Sequence, residues 1–155
     1  MDNLDFTPFT KRELRQLAKT ISSMGDNAVK EAATSSNALA TYAAQEIRQA
    51  AYGRTFGATA VRRIVDGASI SKTSKTGRIT YGFASQKFSG GATTQMLWGG
   101  YEFGSIEYKQ FPSWSGKYGD GSRGWFIYPT LRKIQPELTK KWIEALNRVV
   151  KVWDN

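Results

Sequence analysis

With 155 residues, a hydrophobic fraction of 40% and an aromatic fraction of 13%, the chain can bury a core as one domain, 1–155, which argues against wholesale disorder. It holds no cysteine and no histidine, which removes disulfides, thiolate metal sites and the commonest general base. Its net charge of +9 favours a polyanion or an acidic protein face as partner. No apolar run approaches the roughly 20 residues that span a bilayer. Met1-Asp2-Asn3-Leu4-Asp5 lacks the apolar core of a signal peptide, so the expected location is the cytoplasm or a particle assembled there.

Residues 1–9 read as an extended arm, with Phe6 and Phe9 flanking Pro8. Thr10-Lys11-Arg12-Glu13 is a capping box, in which hydroxyl and carboxylate each satisfy a backbone amide of the first turn. Leu14, Leu17, Ile21 and Met24 then recur at helical intervals until Gly25-Asp26-Asn27 interrupts them. Ala28 to Ala51 resumes with high helix propensity, and Ala32, Leu39, Ala43, Glu46, Ile47 and Ala50 trace a small-residue face. Gly53 and Gly57 end this helix. Val61 to Ser71 alternates as a strand, Lys72 to Gly77 signals a hairpin turn, and Arg78 to Ala84 returns. Residues 85–95 are rich in glycine, serine and threonine and read as a loop.

The stretch from Trp98 to Ser105, Trp-Gly-Gly-Tyr-Glu-Phe-Gly-Ser, reads as an aromatic strand bounded by glycines. A second loop, 106–124, is long for a compact domain and carries Tyr108, Phe111, Trp114 and Tyr118 beside Lys109, Lys117 and Arg123. So many aromatics predict that it orders against a partner. Trp125-Phe126-Ile127-Tyr128-Pro129 reads as a further aromatic strand. From Thr130 to Trp153, Leu131, Ile134, Leu138, Trp142, Ala145, Leu146, Val149 and Trp153 keep a three-to-four spacing, which predicts an amphipathic helix, with Pro136 a candidate kink. The expected fold class is α+β: a long N-terminal helical segment, a small antiparallel sheet of about four strands, and a C-terminal amphipathic helix.

Tyr101-Glu102-Phe103-Gly104-Ser105, a loop, and then Phe126-Ile127-Tyr128-Pro129-Thr130-Leu131 before a terminal helix resembles the tail-component family of long-tailed phages, called tail-completion, neck or head–tail joining proteins. Ser105 stands where that pattern usually has threonine, and Thr130 where it has alanine. Arg54-Thr55-Phe56-Gly57-Ala58 is the nearest equivalent of a cluster that elsewhere contains a proline. The resemblance implies a structural virion protein of the neck or tail, a sixfold ring of identical subunits joining or completing the tail, with other neck and tail proteins as partners and DNA passing through the channel without specific binding. A tail terminator ring is the alternative within that class. A head-to-tail ring needs two different faces per subunit. One is expected from Trp98, Tyr101, Glu102, Phe103, Tyr108, Phe111, Trp114 and Tyr118, the other from the alanine-rich helix or the arm. Arg62, Arg63 or Arg132 of a neighbour could answer Glu102 across the boundary.

Candidates for catalysis are limited to the carboxylates Glu102, Glu107 and Asp120. A pair of them could cleave a glycoside at roughly 5 to 9.5 Å separation, yet nothing in their spacing enforces convergence. No Asp-rich metal cluster and no phosphate-cradling Gly-Lys-Ser/Thr loop is present, so neither an enzyme nor a cofactor is expected. The rival class is a non-specific nucleic-acid-binding protein, because aromatics alternate with cations over 106–128.

Overall fold

The computed structural model describes residues 11–54, 57–70, 78–82, 87–88, 90–105, 107–112 and 124–154. Along them run α1 (Lys11–Ser23), α2 (Asp26–Tyr52), α3 (Ala58–Asp66), β1 (Ser69–Ile70), β2 (Ile79–Thr80), α4 (Thr94–Phe103) and α5 (Tyr128–Asp154). The described residues are thus mostly helical, with one two-stranded antiparallel sheet, β1 beside β2, where about four strands were expected. The arm at 1–9, Thr10 of the capping box, the turn at 72–77 and the aromatics Trp114 and Tyr118 lie outside the described residues.

Three of the expected strands need correction. Among the described residues of the Val61–Ser71 stretch, Val61 to Asp66 lie in α3 and Ser69–Ile70 are extended. Ala60, Val61, Ile64 and Val65 are the buried residues of α3, a helical spacing that outweighs the β preference of valine and isoleucine once their burial is secured. Of the Trp98–Ser105 stretch, Trp98 to Phe103 lie in α4 rather than in a strand. Thr93 caps it, its hydroxyl accepting from the Met96 amide at 3.3 Å, and Gly104 ends it with φ +77°. Trp125 to Ile127 forms bends that lead into α5, which begins at Tyr128. Of the returning strand expected over 78–84, the described residues 78–82 are extended as a strand at Ile79–Thr80, and 83–84 lie outside the described residues. In the 85–95 segment, Lys87 pairs with Thr93 in an antiparallel bridge, and the Phe88 amide donates to the Ala92 carbonyl at 2.8 Å.

The helical expectations fare better. α1 and α2 are separated at Gly25, whose φ is +103°, where Gly25-Asp26-Asn27 interrupts the apolar stripe as a break or a kink. Ala32, Ala43 and Ile47 are buried along α2, whereas Ala50 is exposed. α5 continues through Pro136, which removes one helical hydrogen bond without ending the helix.

The chain forms two compact units, Met1–Tyr42 with Ile70–Arg78 and Ile134–Asn155, and Ala43–Ser69 with Ile79–Lys133. In the first, Ile21, Ala28, Ala32 and Val149 form the buried centre, with Leu17, Met24, Val29 and Leu146 packed on it. Arg148 reaches Glu31 at 3.4 Å at its surface. In the second, Ile47, Ala51, Val61, Ile64, Val65, Phe126 and Ile127 are buried together. Tyr81, Trp98, Tyr101, Trp125 and Leu131 close around them. This second unit holds the candidate site.

Candidate functional site: a buried glutamate at a helix entrance

Glu102 is 0% exposed, the only acidic residue among the buried side chains described. α4 carries it inward: Trp98, Tyr101 and Glu102, at helical spacing, share the face turned toward the core, with Thr94 one turn earlier also buried. The carboxyl meets four consecutive backbone amides. Oε1 accepts from Trp125 and Tyr128, both at 3.1 Å, and Oε2 accepts from Phe126 at 3.1 Å and Ile127 at 2.9 Å.

Two of these amides, Ile127 and Tyr128, are among those that a helix leaves without partners at its start, and Trp125 and Phe126 lie just before them. Tyr128 opens α5, and the first α5 bond runs from the Leu131 amide to the Ile127 carbonyl at 3.0 Å. Pro129 has no amide to satisfy and its fixed φ suits an opening turn. Negative charge is favoured at this end of the helix dipole. Glu102 therefore acts as a cap supplied from another helix, 26 positions before Tyr128 in the chain. Gly124 makes the fit possible: at φ +94°, a Cβ there would collide with Oε1 of Glu102.

Burial pushes the Glu102 carboxyl up from its ordinary range, while the hydrogen bonds from Ile127, Tyr128, Phe126 and Trp125 oppose that shift. Burial also raises the Tyr81 phenol, and the charge of Glu102 adds to the effect. The Tyr81 hydroxyl is buried with no hydrogen-bond partner among the described residues. With both Glu102 oxygens bonded to backbone, the group holds chain segments together and is poorly placed to exchange protons with a substrate.

The start of the long loop folds back onto the same unit. Phe111 is buried, its ring 4.9 Å from that of Tyr101 in an edge-on arrangement. The Ser105 amide donates to the Phe111 carbonyl at 2.9 Å, and Ser105 Oγ accepts from the Glu107 and Tyr108 amides. Trp125 Nε1 donates to the Pro112 carbonyl at 2.7 Å, so both stems of the loop are tied. Arg54 stacks over the Trp125 indole at 4.3 Å and donates to its carbonyl.

The residues expected at an interface thus divide. Glu102 and Phe111 are buried within the chain, and Trp98 and Tyr101 are partly buried against its core. The ion pair expected of Glu102 with an arginine gives way to backbone amides. Phe103 and Tyr108 are exposed, although Phe103 also meets the Tyr128 ring at 5.3 Å. Arg62 and Arg63 are exposed on α3 and Arg132 is partly buried on α5. Of the other carboxylates, Glu107 is exposed and Asp120 lies outside the described residues. Sequence reasoning did not single out Gly124, Tyr81 or Thr93. Thr93 and Gly104 bracket ten residues, a cap-and-stop signal that was available. Among the described residues no helix is long and apolar enough to cross a membrane, and no group of acidic residues is arranged to hold a metal ion. No family model, curated protein or solved structure matches the chain.

Proposed function

We propose that the chain is a structural virion protein of a tailed-phage neck, a ring subunit that joins or completes the tail at the head–tail interface. One observation carries the reading. The resemblance rests on two separated segments, Tyr101–Ser105 and Phe126–Leu131, and Glu102 of the first bonds the amides of Phe126, Ile127 and Tyr128 in the second. A pattern whose halves meet in a backbone clasp has a reason to occur as one motif, and that reason is structural rather than catalytic. The Trp125 indole is tied to the Pro112 carbonyl, so the described residues on either side of 113–123 are held together, as the base of an assembly element requires. Its partners on this reading are further copies of itself and the proteins above and below it in the virion.

The test is deletion of the gene from the phage that encodes it. Filled heads and free tails should accumulate unjoined, and the wild-type gene supplied in trans should restore tailed particles. Normal yields of tailed, infectious particles without the gene would overturn the proposal.

A further inference from the structure

We propose that the exposed cluster of Arg48, Tyr52, Arg62 and Arg63 is a binding platform for single-stranded nucleic acid. The inference stands on α2 and α3 alone and does not depend on the assembly reading. Arg48 and Tyr52 lie one turn apart near the end of α2, and α3 brings Arg62 and Asp66 beside them, with Arg63 next to Arg62 in the chain. The Tyr52 hydroxyl donates to the Asp66 carboxylate, at 2.8 and 2.7 Å from its two oxygens, and Arg48 Nε pairs with Oδ1 of Asp66 at 3.0 Å. Asp66 thereby fixes both the ring and one guanidinium. The Arg62 guanidinium lies 5.0 Å from the centre of the Tyr52 ring and that of Arg48 lies 5.2 Å from it. Arg63 lies 4.8 Å from the centre of the Phe88 ring and reaches the Lys87 carbonyl.

Four cations, Arg48, Arg62, Arg63 and Lys87, are exposed on this part of the surface, and Arg48 pairs with the Asp66 carboxylate. Arg62 has no hydrogen-bond or ion-pair partner among the described residues, so its planar fork of donors is held over a ring and free to take a phosphate. Guanidinium planes and exposed aromatic faces are the surfaces on which unstacked bases lie, with cations meeting the phosphates between them. An acidic protein face would use the charges and have no need of Tyr52 and Phe88. A duplex would hide its base faces. The chemistry thus favours a flexible single strand, read without base-specific contacts.

The experiment is fluorescence anisotropy with a labelled oligothymidylate of about 12 nucleotides, within the usual site size for such surfaces, at low and moderate salt. Duplex DNA of the same length and polyglutamate serve as competitors. The double variant Arg62→Ala/Arg63→Ala should weaken binding about tenfold or more, since stacking and phosphate contacts are both lost. Arg62→Lys/Arg63→Lys should recover only part of it. Arg12→Ala/Arg15→Ala, which removes the same charge from exposed positions of α1, should stay within about twofold. Circular dichroism melting checks the fold of each variant, and Tyr52→Leu replaces the alanine pair if that pair unfolds. The proposal is overturned by an absence of binding in the wild type, by equal losses in the two alanine pairs, or by an unchanged affinity in Arg62→Ala/Arg63→Ala or Tyr52→Leu. Full recovery with lysines overturns it too, as does competition by duplex or polyglutamate equal to that of the single strand.

Discussion

Replacing Glu102 by glutamine tests the clasp with almost no change in shape. The amide keeps one oxygen, which can serve two of the four N–H donors, and turns its own NH2 toward the other two. Phe126 and Ile127 are buried, so an abandoned donor there has no water to turn to. Each unsatisfied buried donor costs about 1–3 kcal/mol, giving about 2–6 kcal/mol for two. Glutamine also relieves the cost of burying a carboxylate, so the net loss should fall near 2–4 kcal/mol. That is a large fraction of the roughly 5–15 kcal/mol by which a domain is stable. Urea unfolding of Glu102→Gln and wild type at pH 8, followed by tryptophan fluorescence and far-ultraviolet circular dichroism, measures it. The loss should be accompanied by faster hydrogen exchange at the amides of residues 125–128. A change below about 0.5 kcal/mol, the size of an ordinary surface substitution, would refute the reasoning.

Burial holds the Glu102 carboxyl above its ordinary range in the folded chain, so the folded state binds that proton more tightly than the unfolded one. Gly124→Ala should cost about 2 kcal/mol or more by thermal or urea unfolding, because φ there is +94° and the new methyl meets the Glu102 carboxyl. Tyr81→Phe removes a buried hydroxyl that has no partner among the described residues, and should leave stability unchanged or raised by up to about 1 kcal/mol; a clear loss would mean that the hydroxyl is bonded. Trp125→Phe removes the indole donor to Pro112 and should speed amide exchange at Ser105 and Phe111, while α1 exchanges as before.

The helices were legible where periodicity and punctuation agreed. Gly25 marked the break between α1 and α2, and the spacing from Leu131 to Trp153 marked α5. The strands were over-read because short apolar runs fit two periods. Val61, Ile64 and Val65 satisfy a helical stripe as well as their neighbours satisfy alternation, and nothing local decides between them. In α4, Gly99 and Gly100 lowered the apparent helix propensity, while Thr93 and the burial of Trp98, Tyr101 and Glu102 outweighed them. The partner of Glu102 was illegible for a different reason. An acidic residue between aromatics suggests an ion pair, whereas its actual partners are backbone amides, which carry no side-chain signature. Only the position of Glu102 in a motif that returns at Phe126–Leu131 hinted that the two segments belong together.

If the proposed role holds, the chain is part of a tailed particle, and quantitative mass spectrometry of such purified, intact particles bears most directly on that role. A fixed copy number equal to one closed ring of subunits is the expected result, with the chain absent from isolated heads that lack a tail. Tailed particles that contain no copy of the chain would contradict it.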